Sequence, residues 1–164
     1  MWRRKRDEAF EAFFRTLYPR AFSTAHRILG DRAAAEDAAA EAFARAFADW
    51  RNVGALYYRD AWVLRVTANV ALDQIRRRAP EQTPAGSPDV EGVATDRVAL
   101  ATALRALPRR QREIVALRHL AGFSEAEIAG ALGLAPGTVK THGHRAMASL
   151  RARLGETVLE GRAS

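Results

Sequence analysis

The run SEAEIAGALGLAPGTVKTHGHRAMASLRARL, Ser124 to Leu154, decides the fold. Ser124 and Glu127 have the S-x-x-E spacing of a capping box, in which a hydroxyl and a carboxylate satisfy free amides at a helix start. The spacing predicts a short helix ending at Leu132. Gly133 then permits a sharp left-handed turn, and Pro136 sets the first turn of a helix running to about Leu154. Ala129 is the small residue a close helix crossing needs, while Ile128, Leu132, Leu134 and Val139 are apolar anchors for the pair. Together these features describe a helix-turn-helix. Its second helix turns Thr138, Lys140, Thr141, His144 and Arg145 outward, where they can reach phosphates and base edges in a major groove.

Upstream of this motif, Leu107-Pro108 breaks a helix expected over about Asp96–Ala106 and starts another from Arg109 to about His119, which Gly122 ends. In the first half, Phe10, Phe13, Phe14, Leu17, Ala21, Ala25 and Ile28 recur at helical spacing, with a stop at Gly30 and a cap at Asp31. An Ala-rich helix follows over about Arg32–Trp50, with Ala39, Phe43, Ala46, Phe47 and Trp50 as its inward stripe. Asn52, Gly54 and the Tyr57-Tyr58 pair make a break before a third helix, about Asp60–Arg78, which ends in three arginines. Between the halves, APEQTPAGSPDVEGVAT (Ala79–Thr95) holds three of the six prolines, three acids and no base, and reads as a flexible linker. No segment shows strand alternation. The expected fold is all-α: a helical domain over 1–78, an acidic tether over 79–95 and a helix-turn-helix domain over 96–164.

Charge and composition narrow the function. The chain has 164 residues, 26 Lys plus Arg against 19 Asp plus Glu, a net charge of +7 and no cysteine. Residues 1–78 and 96–164 each carry +5, and the tether carries −3. An anionic partner is expected, and nucleic acid is the commonest one. Without cysteine there is no disulfide framework, Cys-ligated zinc or thiol nucleophile. No apolar run approaches 18 residues, and the basic N-terminus lacks the pattern of a signal peptide, so cytoplasmic placement without membrane insertion is expected. No phosphate loop, HExxH or nucleophile elbow is present, and His26, His119, His142 and His144 have no metal-ligand spacing. The reading is a protein that is not an enzyme and carries neither metal nor cofactor. Tyr57 and Tyr58, beside a basic helix, could stack on unpaired bases.

LPRRQREIVALRHLAGFSEAEIAGALGLAPGTVK resembles region 4 of the extracytoplasmic-function sigma factors, the smallest bacterial transcription initiation factors, at Leu107, Pro108, Arg112, Leu117, Arg118, Ser124, Glu127, Ile128, Ala129, Leu132, Gly133, Thr138, Val139 and Lys140. Output domains of LuxR-type response regulators carry a similar TVKTH helix, and the N-terminal half separates the two. Leu29–Asp31, Ala35-Glu36-Asp37, Glu41 and Phe43 are similar to the first region 2 helices, and WVLRVTANVALDQIRRR matches the −10 segment at Ala68-Asn69, Asp73 and Arg76-Arg77. The resemblance covers about 145 residues, in the right order. It implies that Asp37, Glu41 and Phe43 dock core RNA polymerase. It implies that Tyr57, Tyr58, Asn69, Arg76 and Arg77 act on the melted −10 element, and that the helix from Pro136 reads −35 duplex. The implied partners are core polymerase and promoter DNA, with an anti-sigma factor as a further candidate.

The chain departs from the family pattern at Ala38-Ala39-Ala40, where bulkier and amide residues are usual, at Gly143, where a large apolar residue is usual, and at His142 and His144, which replace more typical basic residues. Two alternatives stand beside the sigma reading. A conventional regulator would use the helix-turn-helix alone on a palindromic site. A sigma-like adaptor would bind polymerase without starting transcription.

Overall fold

The computed structural model describes residues 2–78 and 88–162, with side chains described over 4–78 and 92–155. Helix α1 (Trp2–Leu29) ends at Gly30, whose φ of 66° only glycine adopts without strain. Helix α2 (Arg32–Ala48) starts on the expected cap, where the Asp31 carboxylate accepts the Ala34 amide at 2.7 Å. A single turn, α3 (Trp50–Val53), occupies the break, and α4 (Arg59–Arg78) completes the first half. Helix α5 spans Pro88–Arg105, so it begins within the stretch read as linker; the rest of that stretch, 79–87, lies outside the described residues. Proline suits a first helical turn, where its missing amide leaves nothing unpaired. Helix α6 (Arg109–Val115) runs into a π-helical turn, Ala116–Leu120; α7 (Glu125–Leu132) and α8 (Pro136–Arg162) form the helix-turn-helix. The all-α class holds, and no strand occurs among the described residues.

Helices α1, α2 and α4 form a three-helix bundle. Helix α2 approaches its neighbours closely because Ala34, Ala35, Ala38, Ala39, Ala42 and Ala46 are fully buried and add almost no side-chain bulk. Two of the three departing alanines are therefore core residues; of the three, only Ala40 is exposed. The aromatic stripe closes one end of the bundle: Phe14 meets Phe43 edge-on at 4.8 Å between ring centroids, and Phe10 meets Trp50 at 5.1 Å. Phe47, expected in this core, is 41% exposed and packs beneath Arg6.

The second half does not bury its apolar surface alone. One continuous core joins Leu17, Phe43 and Leu64 to Leu117, Phe123, Ile128 and Val139, and another joins Ile28, Ala68 and Leu72 to Leu104, Leu107, Val115 and Leu150. Units of about 70 residues bury a smaller fraction of their surface than a domain of twice that size, so sharing a core is a physically favourable arrangement. Polar contacts fasten the same boundary. The π-helical turn leaves carbonyls at its C-terminal end, and arginines from α1 cap them. Arg20 donates two hydrogen bonds to the Ala121 carbonyl at 2.7 and 3.0 Å, and Arg27 donates to Leu120 at 3.0 Å. The Arg20 guanidinium also lies 4.2 Å from the centre of the Phe123 ring.

Candidate nucleic-acid interface

The recognition helix is built by local chemistry. The Ser124 hydroxyl accepts the Glu127 amide, and the Glu127 carboxylate accepts the Ser124 amide at 2.8 Å. This pair of bonds completes the capping box and holds the Glu127 carboxyl below its usual range, the Ser124 backbone amide being the larger cause. Gly133 caps α7 at φ 65° and turns the chain into α8. Ile128, Ala129, Leu132 and Val139 are buried at the crossing, as expected.

On α8, Lys140, Thr141, His144 and Arg145 are exposed and Thr138 is half-buried. Thr141 donates its hydroxyl to the Gly137 carbonyl at 3.0 Å. The basic side chains divide by helical phase. Lys140, His144 and Arg151 recur at steps of four and seven and line a groove with Arg118, His119 and Glu125. Arg118 ion-pairs with Glu125, and this hydrogen bond is the chief cause of a lowered Glu125 carboxyl pKa, with Lys140 and His144 adding smaller attractions. Arg151 extends the face that the sequence pattern marks out, and its spacing from Lys140 and His144 is the signal that finds it. His142 is half-buried, with Nδ1 enclosed, so the two histidines do face differently.

The residues expected to meet the −10 element are not gathered at one point. They are strung along α4 and the loop before it, a helix of 20 residues and therefore about 30 Å long. Tyr57 is 89% exposed, Tyr58 and Asn69 are half-buried, and Arg76 and Arg77 are exposed. Tyr58, Trp62, Arg65, Asn69, Asp73 and Arg76 recur at steps of three and four, which makes a single face. The C-terminal half rests on that face. The Tyr58 ring lies against Gly130 of α7, so close that a Cβ there would come within 2.2 Å of the hydroxyl. Arg65 pairs at 3.5 Å with Glu113, and Asp73 pairs with Arg105. Glu113 is 3% exposed and also takes Arg109 and Arg110 at 3.1 Å, so a buried carboxylate joins the two halves.

Of the residues expected to dock polymerase, Asp37 and Glu41 are exposed on α2, with Glu41 paired to Arg45 at 2.8 Å. Phe43 is corrected. It is 2% exposed and enclosed by Phe10, Phe13, Phe14 and Tyr18, so it supports that helix from within and offers no surface to a partner. No group of three or more metal-ligating side chains is placed to hold an ion, and no helix is long and apolar enough to cross a membrane, among the described residues.

Two family models match the chain in succession: Sigma-70 region 2 over residues 13–81 and Sigma-70 region 4 over residues 97–150. An RNA polymerase sigma-E factor of Streptomyces coelicolor is 35% identical over 160 residues, covering 94% of this chain and 90% of its own. The chain belongs to the extracytoplasmic-function sigma factors. The ECF RNA polymerase sigma factor SigL of Mycobacterium tuberculosis is 34% identical over 142 residues, covering 79% of this sigma factor and 80% of its own length. Among solved structures, CnrH in complex with the cytosolic domain of CnrY shares the fold, with a TM-score of 0.54 at 20% identity, covering 92% of this chain and 90% of that one.

Proposed function

We propose that this sigma factor binds core RNA polymerase and directs it to promoters through two DNA contacts of different kind. The observation that carries the reading is the presence of both regions, in order, on one chain; a regulator acting through its helix-turn-helix alone has no need of the first. Residues 96–164 read the −35 duplex with Thr138, Lys140, Thr141, His144 and Arg145 at the major groove. Residues 1–78 act on the melted −10 strand with Tyr57, Tyr58, Asn69, Arg76 and Arg77, and dock polymerase with Asp37 and Glu41. Duplex DNA admits a helix in its major groove, whereas unpaired bases are held by stacking and edge contacts. The protein works in the cytoplasm beside polymerase, is not itself an enzyme, and is open to restraint by an anti-sigma partner.

The packing adds a condition. Because the α4 face from Tyr58 to Asp73 carries the C-terminal half, melted DNA and that half compete for one surface, and the halves part when a promoter is opened. The recognition helix stays exposed in the closed arrangement, which supports −35 binding as the earlier contact.

In vitro transcription with core polymerase and the purified chain tests the function. Promoter-specific transcripts are expected. A chain that binds a palindromic duplex by itself but yields no transcript with core polymerase is a regulator, and one that binds polymerase without transcription is an adaptor.

A further inference from the structure

A cleft of about 880 Å³ opens where α1, α3 and the start of α4 meet, and no described residue of the C-terminal half lines it. Lys5 and Arg6 reach it from α1, Arg51 from α3 and Arg59 from α4, with Trp50 and Gly54 between them. The charge here is arranged differently from that on the neighbouring helix faces. Along α1 and α2, Arg4, Arg15, Arg32 and Arg45 each stand beside a glutamate one turn away. The described lining of the cleft holds no acid, and the side chains of Lys5 and Arg51 make no hydrogen bond or ion pair among the described residues. The other two cations are held mainly by aromatic rings, which position a guanidinium without neutralising it. Arg59 lies 5.6 Å from the centre of the Phe13 ring and donates to the Gly54 carbonyl at 3.3 Å. Arg6 lies 5.5 Å from the centre of the Phe47 ring, with Asp7 at 3.6 Å.

From this arrangement we infer that the cleft binds a small anion carrying two or three linked phosphates, as in a nucleotide or free polyphosphate. Charge sets the phosphate count. A phosphate group carries about −1.5 to −2 near neutral pH, so four cations match about two such groups. Three of the four are arginines, whose planar fork meets phosphate oxygens in pairs. Size agrees, because ligand sites commonly span about 300–1,000 Å³ and a lone phosphate would leave most of this cleft empty. A nucleic-acid strand spreads single charges along its length, whereas four cations around one hollow suit phosphates joined directly to one another. Bound there, the anion ties the first turns of α1 to α3 and α4 and stabilises the first half by mass action. Its occupancy follows the concentration of the anion, which makes the cleft an effector site separate from both DNA contacts.

Isothermal titration calorimetry on the full chain at fixed ionic strength tests the site, with sodium tripolyphosphate, ATP and orthophosphate as probes. Tripolyphosphate and ATP should bind at one site per chain, and orthophosphate much more weakly. Lys5→Ala/Arg51→Ala should weaken polyphosphate binding at least about tenfold, since a hydrogen bond to a charged group is worth about that factor or more. The charge-keeping Lys5→Arg/Arg51→Lys should retain binding. Arg15→Ala/Arg32→Ala, which removes as much charge away from the cleft, should retain it too. All four side chains are exposed, and a cooperative melt followed by circular dichroism checks the fold of each variant. Tighter binding of ATP than of tripolyphosphate identifies a nucleotide as the source, and equal binding identifies the phosphates alone. Failure of both to bind overturns the inference, as does equal weakening by the remote variant or equal binding of orthophosphate. A short oligothymidylate that binds as tightly as ATP, with the same loss in Lys5→Ala/Arg51→Ala, overturns it in favour of a nucleic-acid strand. Binding confined to vesicles of phosphatidylcholine and phosphatidylglycerol overturns it in favour of a membrane surface.

Discussion

Two glycines on the helix-turn-helix give a paired test of how its halves are packed. Gly130 on α7 and Gly143 on α8 both occupy helical positions, where Gly to Ala gains up to about 1 kcal/mol. Their surroundings differ. A Cβ at Gly143 would meet only Ile114 Cγ2, at 3.8 Å, an ordinary contact. One at Gly130 would stand 2.2 Å from the Tyr58 hydroxyl, 2.4 Å from Cζ and 2.5 Å from Cε2, so the ring must leave its seat. Burying a whole large apolar side chain contributes about 1.5–3 kcal/mol, so expelling a half-buried tyrosine costs about 1 kcal/mol and cancels the helical gain. Gly143→Ala should therefore stabilise the protein by about 1 kcal/mol, and Gly130→Ala should change it little. Urea unfolding followed by circular dichroism reads the difference, and a melt should separate the two variants by about 2–4 °C. In a Tyr58→Ala background, Gly130→Ala should recover its gain of about 1 kcal/mol, the non-additivity expected of residues in contact. Equal gains for both alanines in the wild-type background would refute the reasoning, because Tyr58 could then not be seated on α7.

Further outcomes follow from other contacts. Arg65→Ala leaves Glu113 with Arg109 and Arg110, so it should cost only about 1 kcal/mol, whereas Glu113→Ala removes the shared buried anion and should cost about 3 kcal/mol. Denaturant titration of the two variants checks the order, and a larger loss for Arg65→Ala would contradict it. Gly133→Ala places a side chain at φ 65° and should destabilise by about 1–2 kcal/mol, measured as a drop in the urea midpoint. The carboxyls of Glu125 and Glu127 are lowered in the folded state, so both stabilise it above the ordinary carboxylate range and lose that contribution as pH falls through their folded values. Acid titration of stability should be shallower for Glu127→Gln than for wild type, and an identical profile would show that the capping carboxylate makes no such contribution.

The helices and the helix-turn-helix are legible in the sequence because the rules that make them act over a few residues. A capping serine finds its amide three residues on, as Ser124 does, and Gly133 turns the chain by its own torsion angle. Periodicity likewise tells which side of α8 faces solvent, and extending it by one more step of seven reaches Arg151. Side chains whose surroundings come from distant parts of the chain are not legible. Helical spacing puts Phe43 on the inward stripe of α2, where the structure has it; the family resemblance groups it with Asp37 and Glu41 as a docking residue, but α1 folds over it and removes it from solvent. Ala38 and Ala39 look like a weakened docking surface, but helix packing makes them the reason α2 sits so close to its neighbours. The sequence by itself determined the all-α class, most of the helices and the caps at Asp31 and Ser124, since these follow from local torsions, hydrogen bonds and period, while the order of the two regions came from the family resemblance. Only the tertiary structure decided that the α4 face from Tyr58 to Asp73 is covered, through Tyr58 on Gly130, Arg65 on Glu113 and Asp73 on Arg105, and that Arg20 of α1 caps the Ala121 carbonyl, because a contact across 101 residues of chain depends on how whole helices bury their apolar faces.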